Sequence, residues 1–238
     1  MRIPCSCPVC GQEAIKSGIP DFSPIITAHI PDNRVVNFTC QHGHEITIII
    51  QQEKFEILSE MAIKAIIDEY YRDAVASFAG SLERLHEFFI RATCKKHSID
   101  TPTWGSAWKN MSNQSERQLG AFIGLHLIET RKNPRLLDQK QIAFRNAVIH
   151  KGKFPEKKET IQFGQEILDC ARPILHLLKT KAYSSAIQEL TSENIGERFL
   201  VEHKKSANIS TMAKLTPLSL LRDIPDSIED AISNYTNW

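Results

Sequence analysis

The stretch Phe144–Gly152, FRNAVIHKG, decides how this chain is read. Arg145, Asn146 and His150 sit within six positions, between apolar residues, and a glycine follows directly. Gly152 stands where a left-handed C-terminal cap is expected, so the stretch reads as the end of a helix. Upstream, Asn133 followed by Pro134 reads as an N-cap and a first helical position. At about 100° per residue, Leu136, Leu137, Ala143, Phe144, Ala147 and Val148 form an apolar stripe along that helix. Asn146 and His150 lie on one flank of the stripe and Arg145 lies on the other. A histidine in a last turn also meets the negative end of the helix dipole. Residues of these types either decorate a helix end or perform chemistry.

Working outward, the 238 residues are 42% hydrophobic and 24% charged, ordinary globular values. The formal net charge of +1 excludes a strongly basic nucleic-acid-coating protein but leaves room for a local basic patch. No apolar run is long enough to span a bilayer, and the first residues lack a charged-then-apolar leader pattern. The expectation is a cytoplasmic protein with no membrane association.

Two compositional regimes follow one another. Residues 1–52 are β and loop, with IITAHI, RVVNFTC and EITIIIQQ separated by turn material. Residues 53–185 carry a helical period. Tyr71, Ala74, Val75, Phe78, Leu82, Leu85 and Phe89 recur at three- and four-residue steps. One long helical block is expected over Phe55–Arg91, with Gly80 as a break. SIDTPTWGS reads as a loop, Ser115–Arg131 as a helix, and Glu159–Lys181 as a helix kinked or split at Pro173. Residues 186–238 form an extension of short helical pieces, such as SIEDAISN, and loops. The fold class is therefore mainly α: a helical bundle preceded by a small β-rich segment.

Four of six cysteines lie in the first forty residues, which in a reducing compartment points to metal before disulfide. Cys7-Pro-Val-Cys10-Gly has the spacing of a zinc knuckle, and Cys40 with His44 supplies a second pair. This C-x2-C…C-x3-H set suits structural, tetrahedral Zn2+. The Cys-x-x-Gly-His form favours His44 over His42, and Cys5 is a further candidate with awkward spacing. Free thiols in a small β domain are the plainer alternative.

Arg-Asn-x3-His before a glycine, at the end of a late helix in an all-helical region, resembles the hallmark of the HEPN superfamily. The resemblance covers roughly residues 55–182 and includes SLERLHEFF upstream and FPEKKETIQFGQEILD downstream. It implies a HEPN-like bundle and a metal-independent endoribonuclease of toxin or phage-defence type. The family's composite site would be shared by a homodimer. Arg145 would clamp phosphate and stabilise its developing charge, His150 would move the proton, and Asn146 would orient one or the other. Glu83, in SLERLHE, occupies a place where some members carry an acidic residue. Lys151 and Lys153 begin a basic strip suited to RNA. No catalytic cofactor is implied, whereas a neutralising or regulatory partner protein is. Two alternatives belong to other classes. One is a non-catalytic HEPN module that binds RNA or protein, or acts as an antitoxin-like partner. The other is a zinc-ribbon adaptor dimerised by the bundle.

Several residues have bland readings. His126 reads as a hydrogen-bonded core histidine, and Gly120 with Gly124 as a close-packing pair. Trp104 and Trp108 read as loop-to-bundle packing, with base stacking as the alternative. Cys94 and Cys170 read as structural.

Overall fold

The computed structural model describes residues 1–18, 26–206, 208–214 and 216–235. It is mainly helical, with nine helices among the described residues and a small N-terminal β region. The chain forms two compact units. One comprises the described residues of Met1–Gln52 with those of Thr191–Lys214; the other comprises Glu53–Leu190 and residues 216–235. The stretch 186–238 is thus divided between both units, and its residues 207, 215 and 236–238 lie outside the description.

In the N-terminal unit, β1 (Arg2–Cys5) pairs antiparallel with β2 (Ile26–His29). Ile25, the first residue of the expected strand IITAHI, falls outside the described residues. Between the two strands comes α1 (Pro8–Ser17). Pro8 takes a first-turn position where its missing N–H costs nothing, and Gly18 closes the helix at φ 67°. A second sheet has the order β3 (Val35–Thr39), β4 (Glu45–Ile50), β5 (Ile209–Met212). β3 and β4 form an antiparallel hairpin with Val36 opposite Ile48, and β5 runs parallel to β4 with Ile209 opposite Thr47. Ile46, Ile48, Ile49 and Ile50 are all buried, so β4 reads as a continuous apolar run and lacks the alternation of a one-sided strand.

The helical unit is built around α3 (Tyr71–Lys96), which packs against α2 (Lys54–Ile67), α5 (Ser115–Thr130), α6 (Gln139–His150) and α7 (Lys157–Leu178). The apolar stripe of α3 is buried as its period requires; Ala74, Val75, Phe78, Leu82, Leu85 and Phe89 are all inside. Phe55, Phe122, Val148, Phe163 and Tyr183 complete the core around it. The break between the first two helices lies at Asp68–Tyr70, and Gly80 is inside α3. The Glu69 N–H bonds to Ile66 and the Tyr70 N–H to Ala65, with Glu69 at φ 61°. That backbone turn closes α2 without a glycine, which is why no residue type announced it. Gly80 does not interrupt the helix, and a Cβ there would meet Leu58 Cδ1 at an ordinary 3.6 Å, so the packing does not demand a glycine.

Other elements also depart from expectation. A helix, α4 (Thr101–Lys109), begins inside SIDTPTWGS, capped by Asp100, whose carboxylate accepts from the Thr103 N–H at 2.7 Å. The motif helix begins at Asp138, whose carboxylate accepts from Gln141 N–H at 2.8 Å, so Asn133-Pro134 and Leu136-Leu137 lie before it. Helix α7 continues through Pro173, with Ile167, Cys170, Ala171, Ile174 and Leu175 holding its inner face. α8 (Lys181–Glu202) continues well past residue 190, and α9 (Ile228–Ser233) forms within SIEDAISN. α9 packs on α2 and α7.

Candidate functional site

In the N-terminal unit, the Cys7 side chain caps α1 and accepts from the Cys10 N–H at 3.5 Å. The first knuckle therefore opens a helix, and Gly11 is a helical residue with no turn duty. The second pair sits in the β3–β4 turn. There Gly43 at φ 82° lets its N–H bond to the Cys40 carbonyl at 2.9 Å while the Cys40 N–H reaches His44 O at 3.0 Å. Cys7, Cys10, Cys40 and His44 converge as a possible metal site, with ligand atoms all within 4.8 Å of one another. His44 Nδ1 lies 3.7, 3.3 and 3.5 Å from the sulfurs of Cys7, Cys10 and Cys40. The Cys10 and Cys40 sulfurs are 3.8 Å apart.

These separations fit the group. Zinc bonds of roughly 2.3 Å to sulfur and 2.0–2.1 Å to nitrogen place tetrahedral ligands about 3.8 Å apart for two sulfurs and about 3.6 Å apart for sulfur and nitrogen. His42 Nδ1 comes within 3.2 Å of Cys10 but stands outside the four-residue group. Cys5 also stands outside it; its thiol is turned to the Ile3 carbonyl, and burial pushes its pKa up. Partial burial would raise the Cys40 thiol too. The backbone N–H groups of His44 and His42, with Cys10 and Cys7, outweigh that and bring it down to about 6. Glu13 stands 3.8 Å from the far nitrogen of His44, where a carboxylate favours the tautomer that leaves Nδ1 free to bind metal.

In the helical unit, the motif residues divide. Arg145 is half-buried and donates to Glu83 Oε1 at 2.6 Å and to Asn146 Oδ1 at 3.1 Å. Glu83 comes from α3 and the other two from α6, so the packing of those helices brings all three together. They border a cavity of about 520 Å³ with Leu119 from α5 and Leu136, Leu137 and Ile142 on its walls. His150 is exposed in the last turn of α6 and does not line that cavity. The C-terminal cap is the one expected, with Gly152 at φ 72° and the Lys153 N–H returning to Ala147 O at 3.0 Å. Lys151 and Lys153 are exposed beside it. Lys153 pairs with Glu159 at 2.5 Å and lies 4.8 Å from the centre of the Phe144 ring, so its charge is partly spent locally.

Two buried polar residues of the cavity, His86 and Gln118, were not singled out from sequence. His86 lies one turn after Glu83 on α3, stacks on Phe122 at 4.0 Å between ring centroids, and is 8% exposed. Burial drives its pKa down to about 3, so it is a neutral imidazole, and its Nε2 has no hydrogen-bond partner. Gln118, on α5, donates to the Met111 and Ser112 carbonyls. The three-residue step from Glu83 to His86 was the available signal, weak because such pairs are common on solvated helix faces.

The bland readings fare unevenly. His126 is a buried histidine whose Nδ1 is 3.0 Å from Lys132 O and 3.2 Å from Thr130 Oγ1. Trp104 and Trp108 stack on each other at 5.1 Å, half-buried against the core, from a helix and not from a loop. Gly120 and Gly124 do not mark close packing, since a Cβ at either meets nothing within 4 Å. Among the described residues, no helix is long and apolar enough to cross a membrane. Compared with known proteins, the chain matches no family model, no curated protein and no solved structure.

Proposed function

We propose that this protein is a metal-independent endoribonuclease of HEPN type, acting as a homodimer in a toxin-like or antiviral role in the cytoplasm. The observation that carries the reading is the cluster of Arg145, Asn146 and Glu83 at the rim of a cavity, on the same helix that ends in an exposed His150. RNA brings its own nucleophile. The 2′-oxygen would attack phosphorus and the 5′-oxygen would leave, giving a 2′,3′-cyclic phosphate and a 5′-hydroxyl. His150 would take the 2′-hydroxyl proton, and a second imidazole or water would protonate the leaving oxygen. Arg145 would hold the phosphate oxygens and offset charge in the transition state. Arg145 and His150 stand about 140° apart around one helix, so a single phosphate is better gripped by the pair from two facing subunits. Lys151 and Lys153 would draw the RNA backbone.

The Cys7, Cys10, Cys40 and His44 set would hold a structural Zn2+, a ligand set that leaves no open position for chemistry. The N-terminal unit would then bind RNA, recruit a neutralising protein or steady the dimer.

One observation favours a second reading. The 2.6 Å pairing of Arg145 with Glu83 already occupies the guanidinium, as suits a non-catalytic HEPN module. Incubating a mixed RNA pool with wild type and His150→Ala in EDTA separates the two. Cleavage that vanishes in a folded, dimeric mutant supports the enzyme. Equal activity in both overturns the role of His150, and inactivity of both favours the binding module.

A further inference from the structure

The cavity beside Arg145 has a second property that phosphate binding does not use. Leu82, Leu119, Leu136, Leu137 and Ile142 make most of its wall apolar, and at about 520 Å³ it falls in the size range of small-molecule sites. Three of its polar groups are joined, since Arg145 donates to Glu83 Oε1 and to Asn146 Oδ1, while Glu116 and His86 belong to other parts of the lining. Glu83 and Glu116 supply carboxylate oxygens, and Arg145 and Asn146 lie at the α6 side. His86 belongs to the lining as well, more than nine-tenths buried, with Nε2 unpartnered. A buried ring nitrogen without a partner is costly to keep, and a lining residue that keeps one suits a ligand that supplies the missing hydrogen bond. Apolar walls with a few hydrogen-bonding groups at one edge suit an unstacked heteroaromatic ring. Carboxylates accept from amino groups and repel carbonyl oxygens, so Glu116 and the Glu83 oxygen that is not paired with Arg145 select for a ring that bears an exocyclic amine.

We propose that this cavity is a base pocket, which takes one splayed-out nucleobase carrying an exocyclic amine, adenine, cytosine or guanine, and discriminates against uracil. This rests on the reading of the chain as an RNA-cleaving protein and adds to it the substrate class. The neighbouring phosphate would meet Arg145, so base and phosphate would be held from the same face of α6. The edge of the base would reach the carboxylates beside the His86 ring, and Leu119 and Ile142 would flank its plane.

The test separates binding from cleavage. Fluorescence anisotropy measures binding of short 2′-O-methyl oligonucleotides, which cannot be cut because the nucleophile is blocked. Oligo-A and oligo-C should bind about tenfold or more tightly than oligo-U, a typical discrimination for one well-made base contact. Leu119→Trp, at a half-exposed position on the cavity wall, should abolish that preference by filling the space. His86→Phe, which keeps the ring stack on Phe122, should reduce it. Cleavage of the matching ribo-oligonucleotides is followed in parallel. An amine-base preference without cleavage supports the pocket and refutes the nuclease. Cleavage with equal affinity for oligo-A, oligo-C and oligo-U overturns the pocket and leaves the nuclease standing. A preference that survives in Leu119→Trp also overturns the pocket, as does no binding to any oligonucleotide, which together with no cleavage overturns the nuclease as well.

Discussion

Glu56 makes the stability of the helical unit depend on pH in a direction opposite to that of most carboxylates. Its side chain is 3% exposed. One carboxylate oxygen accepts from the Glu53 N–H at 2.9 Å in a capping box, and the other accepts from the Leu220 N–H at 3.1 Å. Ser59 adds a second tie, accepting from the Leu218 N–H at 3.2 Å, so residues 218–220 are moored on α2. Burial, reinforced by the charge of Glu53, overrides those hydrogen bonds and lifts the Glu56 pKa from 4.5 to about 7. Between those two pH values the folded protein holds a proton that the unfolded chain has released. Stability contributed by this group is therefore complete below about pH 4.5 and is lost as pH rises through about 7. A difference of 2.5 units, at about 1.4 kcal/mol each, amounts to about 3 kcal/mol.

Urea unfolding at pH 5 and pH 8 measures this, with the fluorescence of Trp104 and Trp108 followed in a Trp238→Phe background. Wild type should lose about 2 to 3 kcal/mol over that interval because of Glu56. Glu56→Gln, which cannot ionise, should lose correspondingly less, and the difference between the two chains cancels the other groups that titrate there. Equal losses in both chains, with unchanged denaturant slopes, would refute the argument.

Three further outcomes are expected. Gly164→Ala in α7 should lower the melting temperature, because the new Cβ would lie 2.7 Å from Cε2 of the buried Phe78 and 3.3 Å from Ile228. Overpacking of about 1–3 kcal/mol there exceeds the roughly 1 kcal/mol gained from helix propensity. Gly120→Ala and Gly124→Ala meet nothing and should each raise stability by up to about 1 kcal/mol in the same melt. Protein purified without chelator should carry one zinc per chain by mass spectrometry of the metal. Cys10→Ser should lose it together with the β signal of the N-terminal unit and keep most of the helical signal. A metal-free wild type would refute the zinc assignment.

What the sequence disclosed, and what it hid, follows from how far each signal reaches. The α3 stripe was legible because its period repeats over five turns, and the Gly152 cap because only a glycine tolerates that backbone cheaply. The Cys and His spacings were legible because ligand chemistry is narrow. The Glu69 turn, the Asp138 cap and α4 were not, since ordinary polar residues serve there and the deciding hydrogen bonds are local to the fold. The partition of Arg145 from His150 was half-visible on a helical wheel. The attachment of Arg145 to Glu83 was not, because it depends on how α3 and α6 pack across 62 positions of sequence. His86 was hidden for the same reason, since its burial and its orphaned nitrogen exist only once α5 lies over it.

The parallel pairing of β4 with β5 has a practical consequence for anyone dividing this chain. The strand that completes the second sheet arrives some 160 residues after its neighbour. A fragment ending at Gln52 would hold all four metal ligands and still present the β5 side of β4 as a bare edge. The backbone groups that face β5, among them the Thr47 N–H that donates to Asn208 O and the Gln51 N–H that donates to Met212 O, would lose their partners, beside three isoleucines in a row. Such an edge templates intermolecular strand addition. The fragment would therefore precipitate or oligomerise even with its metal bound. Supplying residues 208–214 in trans as a peptide, or fusing them back after a short linker, is the remedy the register prescribes.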